Sequence, residues 1–169
     1  APKVIESVGA LIGHPLMKIL DQMFLKPAKL GMGTHWHTDN AYFHLTNPMA
    51  GVAMWIAVDD ATFENGTLRI VPGAFREMFP HTRDVDSDHH IRIEIDETQA
   101  LDCELDAGGV AFFCFGTPHA TGDNVSVNER AAVGIHFVNV SKAEGHASER
   151  WQQIRISGAG ASGGQDEYG

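Results

Sequence analysis

The sequence predicts an all-β sandwich or barrel with a few appended helices. Many short apolar or alternating segments recur along the chain and are separated by turn residues. Strand and helix patterns do not alternate as they do in βαβ proteins, and helical spacing of apolar residues is confined to the N-terminal part. The three observations favour an all-β architecture over an α/β one.

The N-terminal part combines helical and extended patterns. Residues 4–20 carry apolar residues at mixed helical spacing, which Gly13 and Pro15 interrupt. We therefore expect a helix, a turn and a second segment that is short and either helical or extended. Residues 23–25 predict a strand that ends near Lys26, and a loop follows.

The rest of the chain predicts strands joined by turns and one long loop. Strands are predicted at residues 51–58, 68–71, 91–95, 110–115 and 131–140. The first of these is almost wholly apolar, which is typical of a strand buried on both faces. The third alternates Ile with charged residues, which predicts a strand with one solvated face. The pair Asn65-Gly66 indicates a tight turn, and the polar residues 80–90 indicate a loop.

The length favours one domain. A chain of 169 residues can bury roughly two-thirds of its unfolded surface in a single core. We expect that domain to span residues 1–156. Residues 157–169 are rich in Gly and offer little to bury, which predicts a flexible C-terminal tail.

Charge and composition argue against several classes of function. The formal net charge of −10 disfavours a surface that neutralises phosphates, so we expect no nucleic-acid partner. No stretch reaches the roughly 18 consecutive apolar residues of a membrane helix, and the first residues lack a signal-peptide pattern, so we expect no membrane partner. The 2 cysteines fit neither a disulfide framework nor a cysteine-rich zinc site, which indicates a reducing, cytoplasmic setting.

A pair of candidate metal ligands stands out at His37-Thr38-Asp39. Successive side chains of a strand alternate between faces, so on an extended segment His37 and Asp39 would point the same way. An imidazole and a carboxylate on one face are two parts of the two-His-one-carboxylate triad that binds Fe(II) and leaves three positions open. The rival interpretation is a strand histidine that is hydrogen-bonded to a carboxylate without any metal.

A third ligand must come from the other histidines, of a total of 10 in the chain. His119 stands out because it follows an apolar predicted strand and opens a loop of small residues. That loop leads to Arg130, whose planar guanidinium can hold a carboxylate through two hydrogen bonds. The arrangement would bring a metal ligand and an anion site into one pocket. Most of the other histidines are interpreted as surface or loop residues, and His136, in an alternating strand, as structural.

Three segments together resemble the phytanoyl-CoA dioxygenase family of Fe(II)/2-oxoglutarate oxygenases. They are residues 37–43, 55–73 and 119–130, in the order and spacing of the family's motifs, and the likeness extends from Gln22 to Val140. The resemblance implies a double-stranded β-helix, the jelly-roll of cupins, as the fold. It also implies a hydroxylase that uses Fe(II), 2-oxoglutarate and O2, acts on an unactivated C–H bond of a small-molecule substrate, and releases succinate and CO2.

The resemblance implies that His37, Asp39 and His119 bind the iron and form the catalytic centre. Halogenases of the same family replace the carboxylate with a small residue, so the presence of Asp39 favours hydroxylation over halogenation. A His-x-Asp motif alone carries little weight, and the assignment depends on the three segments in register.

The resemblance also implies which residues bind the co-substrate. Arg130 would pair with the distal (C5) carboxylate of 2-oxoglutarate, and the hydroxyl of Thr121 would donate a hydrogen bond to it. Trp55 and Gln22 match family positions that line the co-substrate pocket, and Tyr42 is a further candidate for its wall. The alternatives are a surface ion pair for Arg130 and a core position for Trp55.

The chain departs from the family in two places, and other functions stay open. After Pro72-Gly73 it has Ala74-Phe75 where the family usually has Ser-His, which would alter the mouth of the pocket. Family members usually carry a sizeable N-terminal portion that this sequence lacks. We therefore expect either a sheet without an outer strand or a chain that is part of a longer protein. The rival functions are a metal-binding cupin without oxidative chemistry and a non-catalytic relative. The sequence indicates no oligomeric state.

Overall fold

Two antiparallel β-sheets and a few short helices make up the fold. The computed structural model describes residues 1–83, 91–144, 153–158 and 161. The helices are α1 (Pro2–Ile12) and α2 (Asn40–Phe43), with 3-10 turns at Pro48–Ala50, Ala74–Arg76 and Glu97–Gln99. The strands are β1 (Leu16–Lys26), β2 (Thr34–His37), β3 (Gly51–Ala57), β4 (Leu68–Ile70), β5 (Thr82–Arg83), β6 (Ile91–Arg92), β7 (Leu101–Cys103), β8 (Val110–Cys114), β9 (His119–Thr121), β10 (Arg130–Asn139) and β11 (Ile154–Arg155).

The sheet order is that of a jelly-roll. The larger sheet has five strands in the order β11-β1-β10-β3-β8, and the smaller has four in the order β2-β9-β4-β7. Neighbours in both sheets are antiparallel and mostly distant along the chain. A further two-stranded sheet joins β5 and β6. The predicted double-stranded β-helix is confirmed.

The predicted N-terminal helix is confirmed, and the undecided second segment is extended and longer than predicted. The predicted helix is α1, and residues after Pro15 form one long strand, β1, that includes the predicted residues 23–25. β1 pairs antiparallel with β10 from Leu16 opposite Asn139 to Lys26 opposite Arg130. This register places two basic residues side by side at one end of the larger sheet.

The larger sheet is covered on both faces, which explains the apolar run of β3. Val52 and Met54 pack against α1 on one face, whereas Ala53 and Trp55 pack against Leu68 of the smaller sheet on the other. Side chains of a strand alternate between faces, so a strand between two layers is apolar at every position. Among the helices of the described ranges, none is long and apolar enough to cross a membrane.

The predicted Asn65-Gly66 turn is present and packs tightly. Gly66 has φ 79°, in the left-handed region that favours glycine. A Cβ at this position would lie 2.2 Å from the carbonyl oxygen of Gly122. The side chain of Asn65 accepts a hydrogen bond from the backbone N–H of Thr62 at 2.8 Å. The turn therefore holds the Gly66 carbonyl group at a fixed place beside β10.

The predicted strand at residues 91–95 is mostly wrong. Only Ile91 and Arg92 form a strand, and Ile93 is buried without belonging to a sheet, although its N–H donates to the carbonyl of Trp36 at 2.8 Å. Alternation of apolar and charged residues reports one buried face and does not by itself supply a pairing partner. Most of the predicted loop at residues 80–90, including His89 and His90, lies outside the described residues.

The start of the predicted C-terminal tail contacts the larger sheet. Ser157 is fully buried, and its Oγ accepts a hydrogen bond from the backbone N–H of Leu16 at 2.9 Å. The same Oγ lies 2.7 Å from Nδ1 of His14. Just before it, β11 pairs with β1. Residues 162–169 lie outside the described part of the chain.

Candidate active site

The three predicted metal ligands lie on two neighbouring strands and at the start of a helix. His37 is the last residue of β2, and His119 is the first residue of β9. The strands pair antiparallel with His37 opposite His119, so both imidazoles project from one face of the smaller sheet. Asp39 lies between β2 and α2.

The backbone of Asp39 corrects the sequence prediction. β2 ends at His37, and Asp39 has helical backbone angles (φ −58°, ψ −32°) at the N-cap of α2. An aspartate in this position usually accepts a backbone N–H of the helix, but the Asp39 side chain makes no such bond. Its carboxylate turns towards the histidines instead. The two ligands therefore converge through a strand-to-helix turn, and not by sharing one face of a strand.

The ligand atoms form a compact cluster. One ligand atom each from His37, Asp39 and His119 all lie within 4.8 Å of one another. Asp39 Oδ1 lies 3.6 Å from His119 Nε2, and the ring centroids of the two histidines are 4.2 Å apart. Two imidazoles and one carboxylate that converge in this way can hold a single metal ion and leave further positions open.

Backbone carbonyl groups fix both imidazoles. Nδ1 of His37 donates to the carbonyl of His35 at 2.7 Å, and Nδ1 of His119 donates to that of Thr117 at 3.0 Å. Because a carbonyl oxygen can only accept, each neutral ring carries its proton on Nδ1 and keeps the lone pair on Nε2. Each ring therefore presents Nε2 as its ligand atom.

The surroundings keep these ligands in the forms that bind metals. Burial, and next the neighbouring His119, lowers the pKa of His37 to about 4, so this imidazole is neutral at neutral pH. Burial alone would raise the pKa of Asp39, but His119 and His136 outweigh it and hold that pKa well below its ordinary value. A neutral imidazole and an ionised carboxylate need release no proton when a cation binds.

Arg130 is a buried cation, and one side of its guanidinium has no hydrogen-bond partner among the described residues. The residue is 1% exposed, and its Nη2 donates to the carbonyl of Gly66. Nε and Nη1 have no hydrogen-bond partner among the described residues. Burial lowers the pKa of Arg130 to about 10, partly opposed by Asp59, so the group stays charged. Because unpaired buried donors are costly, these two nitrogens fit a site for an anion.

Lys26 is a second buried cation at this place, and the sequence did not predict it as a site residue. It lies opposite Arg130 in the β1–β10 ladder and is 6% exposed. Its Nζ donates to the carbonyl groups of Met32 and Gly122, the latter at 2.7 Å. Burial, and next the charge of Arg130, lowers the pKa of Lys26 to about 8, with Asp123 opposing.

Of two predicted co-substrate residues, Trp55 contacts Arg130, whereas Thr121 is hydrogen-bonded to Thr34. Trp55 is 4% exposed, and its ring centroid lies 5.4 Å from the guanidinium carbon of Arg130, within the range of a cation–π contact. The Thr121 hydroxyl already accepts a hydrogen bond from the backbone N–H of Thr34 at 3.1 Å and lies 3.0 Å from the Thr34 hydroxyl. Trp55 therefore belongs to the core and also contacts Arg130.

All the predicted site residues line one cavity of about 600 Å³. They are His37, Asp39, Tyr42, Trp55, His119, Thr121 and Arg130, with Gln22 on the solvent-exposed part of β1. Tyr42 belongs to α2, and its ring meets that of His37 edge-on at 5.9 Å between centroids. The cavity therefore connects the ligand cluster with the two buried cations.

His136 also lines the cavity, although the sequence analysis interpreted it as structural. It is 7% exposed, and its Nε2 lies 3.3 Å from Asp39 Oδ2. The period-two pattern of β10 could have identified it, because Arg130 and His136 lie an even number of residues apart and so share a face. Lys26 could not be found in this way, since its place depends on the register between two distant segments.

Comparison with known proteins places the chain in a family. The sequence pattern of the phytanoyl-CoA dioxygenase (PhyH) family matches residues 1–132. This chain belongs to the phytanoyl-CoA dioxygenase family. Among curated members, a phytanoyl-CoA dioxygenase domain-containing protein 1 homolog from Dictyostelium discoideum is 27% identical over 139 residues, which are 76% of this chain and 48% of that protein. The chain spans about half the length of the curated relatives it matches.

Solved structures with a similar fold include a non-heme monooxygenase and a protein bound to 2-oxoglutarate. The non-heme monooxygenase ThoJ in its apo form has a TM-score of 0.76 at 28% identity, covering 91% of this chain and 58% of that one. EvdO2 from Micromonospora carbonacea var. aurantiaca, solved with 2-oxoglutarate, has a TM-score of 0.68 at 28% identity, covering 86% of this chain and 62% of that one.

Proposed function

We propose that this member of the phytanoyl-CoA dioxygenase family is an Fe(II)- and 2-oxoglutarate-dependent oxygenase that hydroxylates a small-molecule substrate at an unactivated C–H bond. The observation that carries the proposal is one cavity with a metal-ligand triad and a buried guanidinium whose Nε and Nη1 have no partner among the described residues. A 2-oxo diacid has one end that suits the metal-ligand triad and another that suits the guanidinium. Its oxo-acid group can chelate a metal, and its distal carboxylate can pair with Arg130.

The residues present fit an iron ion. His37, Asp39 and His119 would hold it, with two neutral imidazoles and one ionised carboxylate as the donors. This donor set is typical of Fe(II) oxygenases, which need open positions. When bound, the iron supplies the oxidation, in which 2-oxoglutarate, O2 and a substrate C–H bond give succinate, CO2 and a C–OH group.

The protein's own part in this reaction is to bind and orient the reactants. The carbonyl groups of His35 and Thr117 hold the two imidazoles in the tautomer that leaves Nε2 free. Arg130 would orient the co-substrate from its distal end, with the Trp55 ring beside the guanidinium. Burial of Asp39 and His119 shields these two ligands from bulk solvent. No side chain needs to act as a general base.

The relatives support this proposal. EvdO2 was solved as a complex with 2-oxoglutarate, and ThoJ is a non-heme monooxygenase. Both are 28% identical to this chain and share its fold over most of the length of this chain.

The test is a titration of the protein with Fe(II) and then 2-oxoglutarate under anaerobic conditions. We expect a visible charge-transfer band, because the oxo acid would chelate the iron next to the His and Asp ligands. Admission of air should then release succinate. Iron binding without such a band would contradict the proposal and favour a metal-binding cupin without oxidative chemistry, and absence of metal binding would favour a non-catalytic relative.

The affinity for 2-oxoglutarate is expected to fall as the pH rises above about 8. The free protein has a Lys26 pKa of about 8, and an anion on Arg130 would raise that pKa towards its ordinary value. Below pH 8 Lys26 is already protonated, so binding takes up no proton. Above pH 8 binding must take up a proton, and the affinity falls with each further rise in pH. Arg130, with a pKa of about 10, stays charged over most of this range.

Calorimetry at pH 8.5 in buffers of different ionisation enthalpy measures this proton uptake. The Lys26→Met variant keeps the apolar stem and should show none. As a ligand control, 2-oxopentanoate lacks the distal carboxylate and should bind the native protein without proton uptake. Equal proton uptake by the native protein and by Lys26→Met would show that another group titrates.

A further inference from the structure

The two oxygens of the Asp39 carboxylate face different partners. Oδ1 lies 3.6 Å from Nε2 of the ligand His119, and Oδ2 lies 3.3 Å from Nε2 of His136. Oδ2 has no well-aligned hydrogen bond from any described residue and is fully buried. One oxygen is therefore directed to the ligand cluster and the other to β10.

Two aromatic rings hold the His136 side chain in place. The ring centroids of Phe43 and Phe115 lie 5.3 Å and 5.8 Å from that of His136, and these two phenylalanines stack on each other at 4.6 Å. His136 projects from β10, which is paired on both sides with β1 and β3. The ring is thus fixed at the point where Asp39 reaches the larger sheet.

The two ring nitrogens of His136 have different surroundings. Its Nδ1 is buried without a partner among the residues that the structure describes. A proton on Nδ1 would be an unsatisfied buried donor, which is costly, whereas a proton on Nε2 faces an ionised carboxylate oxygen 3.3 Å away. Nε2 is therefore the His136 nitrogen that is placed to donate a hydrogen bond to Asp39.

We infer that His136 is a positioning residue that holds Asp39 through Oδ2, so that the carboxylate offers only Oδ1 to a metal. A carboxylate that bound the metal through both oxygens would occupy one of the positions that 2-oxoglutarate and O2 need. His136 would therefore raise the affinity for the metal. It would also keep open the coordination position that the second carboxylate oxygen would otherwise occupy. The inference rests on the proposed function, since it assigns a role towards the same metal.

The test compares His136→Phe with His136→Gln. Phenylalanine keeps an aromatic ring against Phe43 and Phe115 but cannot donate a hydrogen bond. Glutamine supplies an amide N–H donor of similar reach without the ring. The readout is the metal dissociation constant, measured by competition with a chromogenic chelator in the absence of co-substrate, alongside the melting temperature of each metal-free variant.

The expected result separates positioning from packing. His136→Phe should keep its metal-free melting temperature and lose about 10- to 100-fold in metal affinity, the usual effect of removing a hydrogen-bond partner of a ligand. His136→Gln should recover most of that affinity even if it melts earlier. The charge-transfer band with 2-oxoglutarate should weaken in His136→Phe and return in His136→Gln.

Two results would overturn the inference. One is native metal affinity in His136→Phe. The other is an equal loss of metal affinity in His136→Phe and His136→Gln, because the hydrogen bond to Asp39 would then not be the cause of the loss. Either result leaves the proposed function standing if the native protein still forms the charge-transfer band. If the native protein binds no metal, the proposed function fails, and the inference fails with it.

Discussion

The Arg130→Ala substitution is expected to weaken 2-oxoglutarate binding about 100-fold or more without changing metal affinity. The guanidinium is 1% exposed, and two of its nitrogens have no hydrogen-bond partner among the described residues. Removing one member of a buried charge pair typically costs 2–5 kcal/mol, or about 30- to several thousand-fold. Metal affinity should be preserved because Arg130 belongs to the larger sheet, whereas the imidazole ligands belong to the smaller one.

Titration of the iron-loaded, anaerobic protein with 2-oxoglutarate measures this loss through the charge-transfer band. The matched variant is Arg130→Lys, which keeps the charge but loses the planar fork and should bind with intermediate affinity. The matched ligand is 2-oxopentanoate, for which the native protein and Arg130→Ala should differ little. If Arg130→Ala bound both ligands like the native protein, the distal carboxylate would have to bind elsewhere.

The Asp39→Asn substitution is expected to abolish the stabilisation of the protein by metal ions. A ligand at a thousand times its dissociation constant stabilises a folded protein by about 4 kcal/mol, which corresponds to a rise in melting temperature on the order of 10 °C for a domain of this size. Asparagine has nearly the shape of aspartate but lacks the charge that holds a divalent cation. The cluster within 4.8 Å would then retain only its two imidazoles.

Thermal melts with and without Fe(II) or Ni(II) measure this effect. Each variant serves as its own reference, so any cost of the substitution to the metal-free fold cancels in the difference. A suitable control is Asp102→Asn, because Asp102 pairs with Arg69 on the outside of the smaller sheet and its loss should leave the metal-induced rise intact. A full rise in Asp39→Asn would remove Asp39 from the ligand set.

The large features of the fold were predictable from the sequence. β3 and β10 are long and apolar, and turn residues lie at their ends. Their strand pattern can therefore be recognised in the sequence without knowing which strands they pair with. β2 was predicted as the strand that carries His37, although it ends before Asp39. β7 and β9 were not predicted, because each has only three residues, too few to establish a period. Their pairing is decided by contacts between distant segments.

The predicted site residues lie together in one cavity, and their assigned roles stay predictions that the substitutions above test. Residue type and spacing singled out His37, Asp39, His119 and Arg130, and the resemblance to the family implied the other residues. Lys26 was missed because its place opposite Arg130 depends on the β1–β10 register. The geometry at Asp39 was wrong because an Asp-Asn-Ala sequence can continue a strand or begin a helix, and the sequence alone favoured the strand.

The division of the cavity between the sheets has a consequence for the choice of co-substrate. The imidazole ligands project from the smaller sheet, and Lys26 and Arg130 belong to the larger one. The distance between the metal position and the cations is therefore set by the packing of Trp55 on Leu68 between the sheets. The spacing between the two sheets therefore limits the length of the co-substrate. It decides how many carbons can separate the two acid groups of a molecule that reaches from the metal ligands to the two cations.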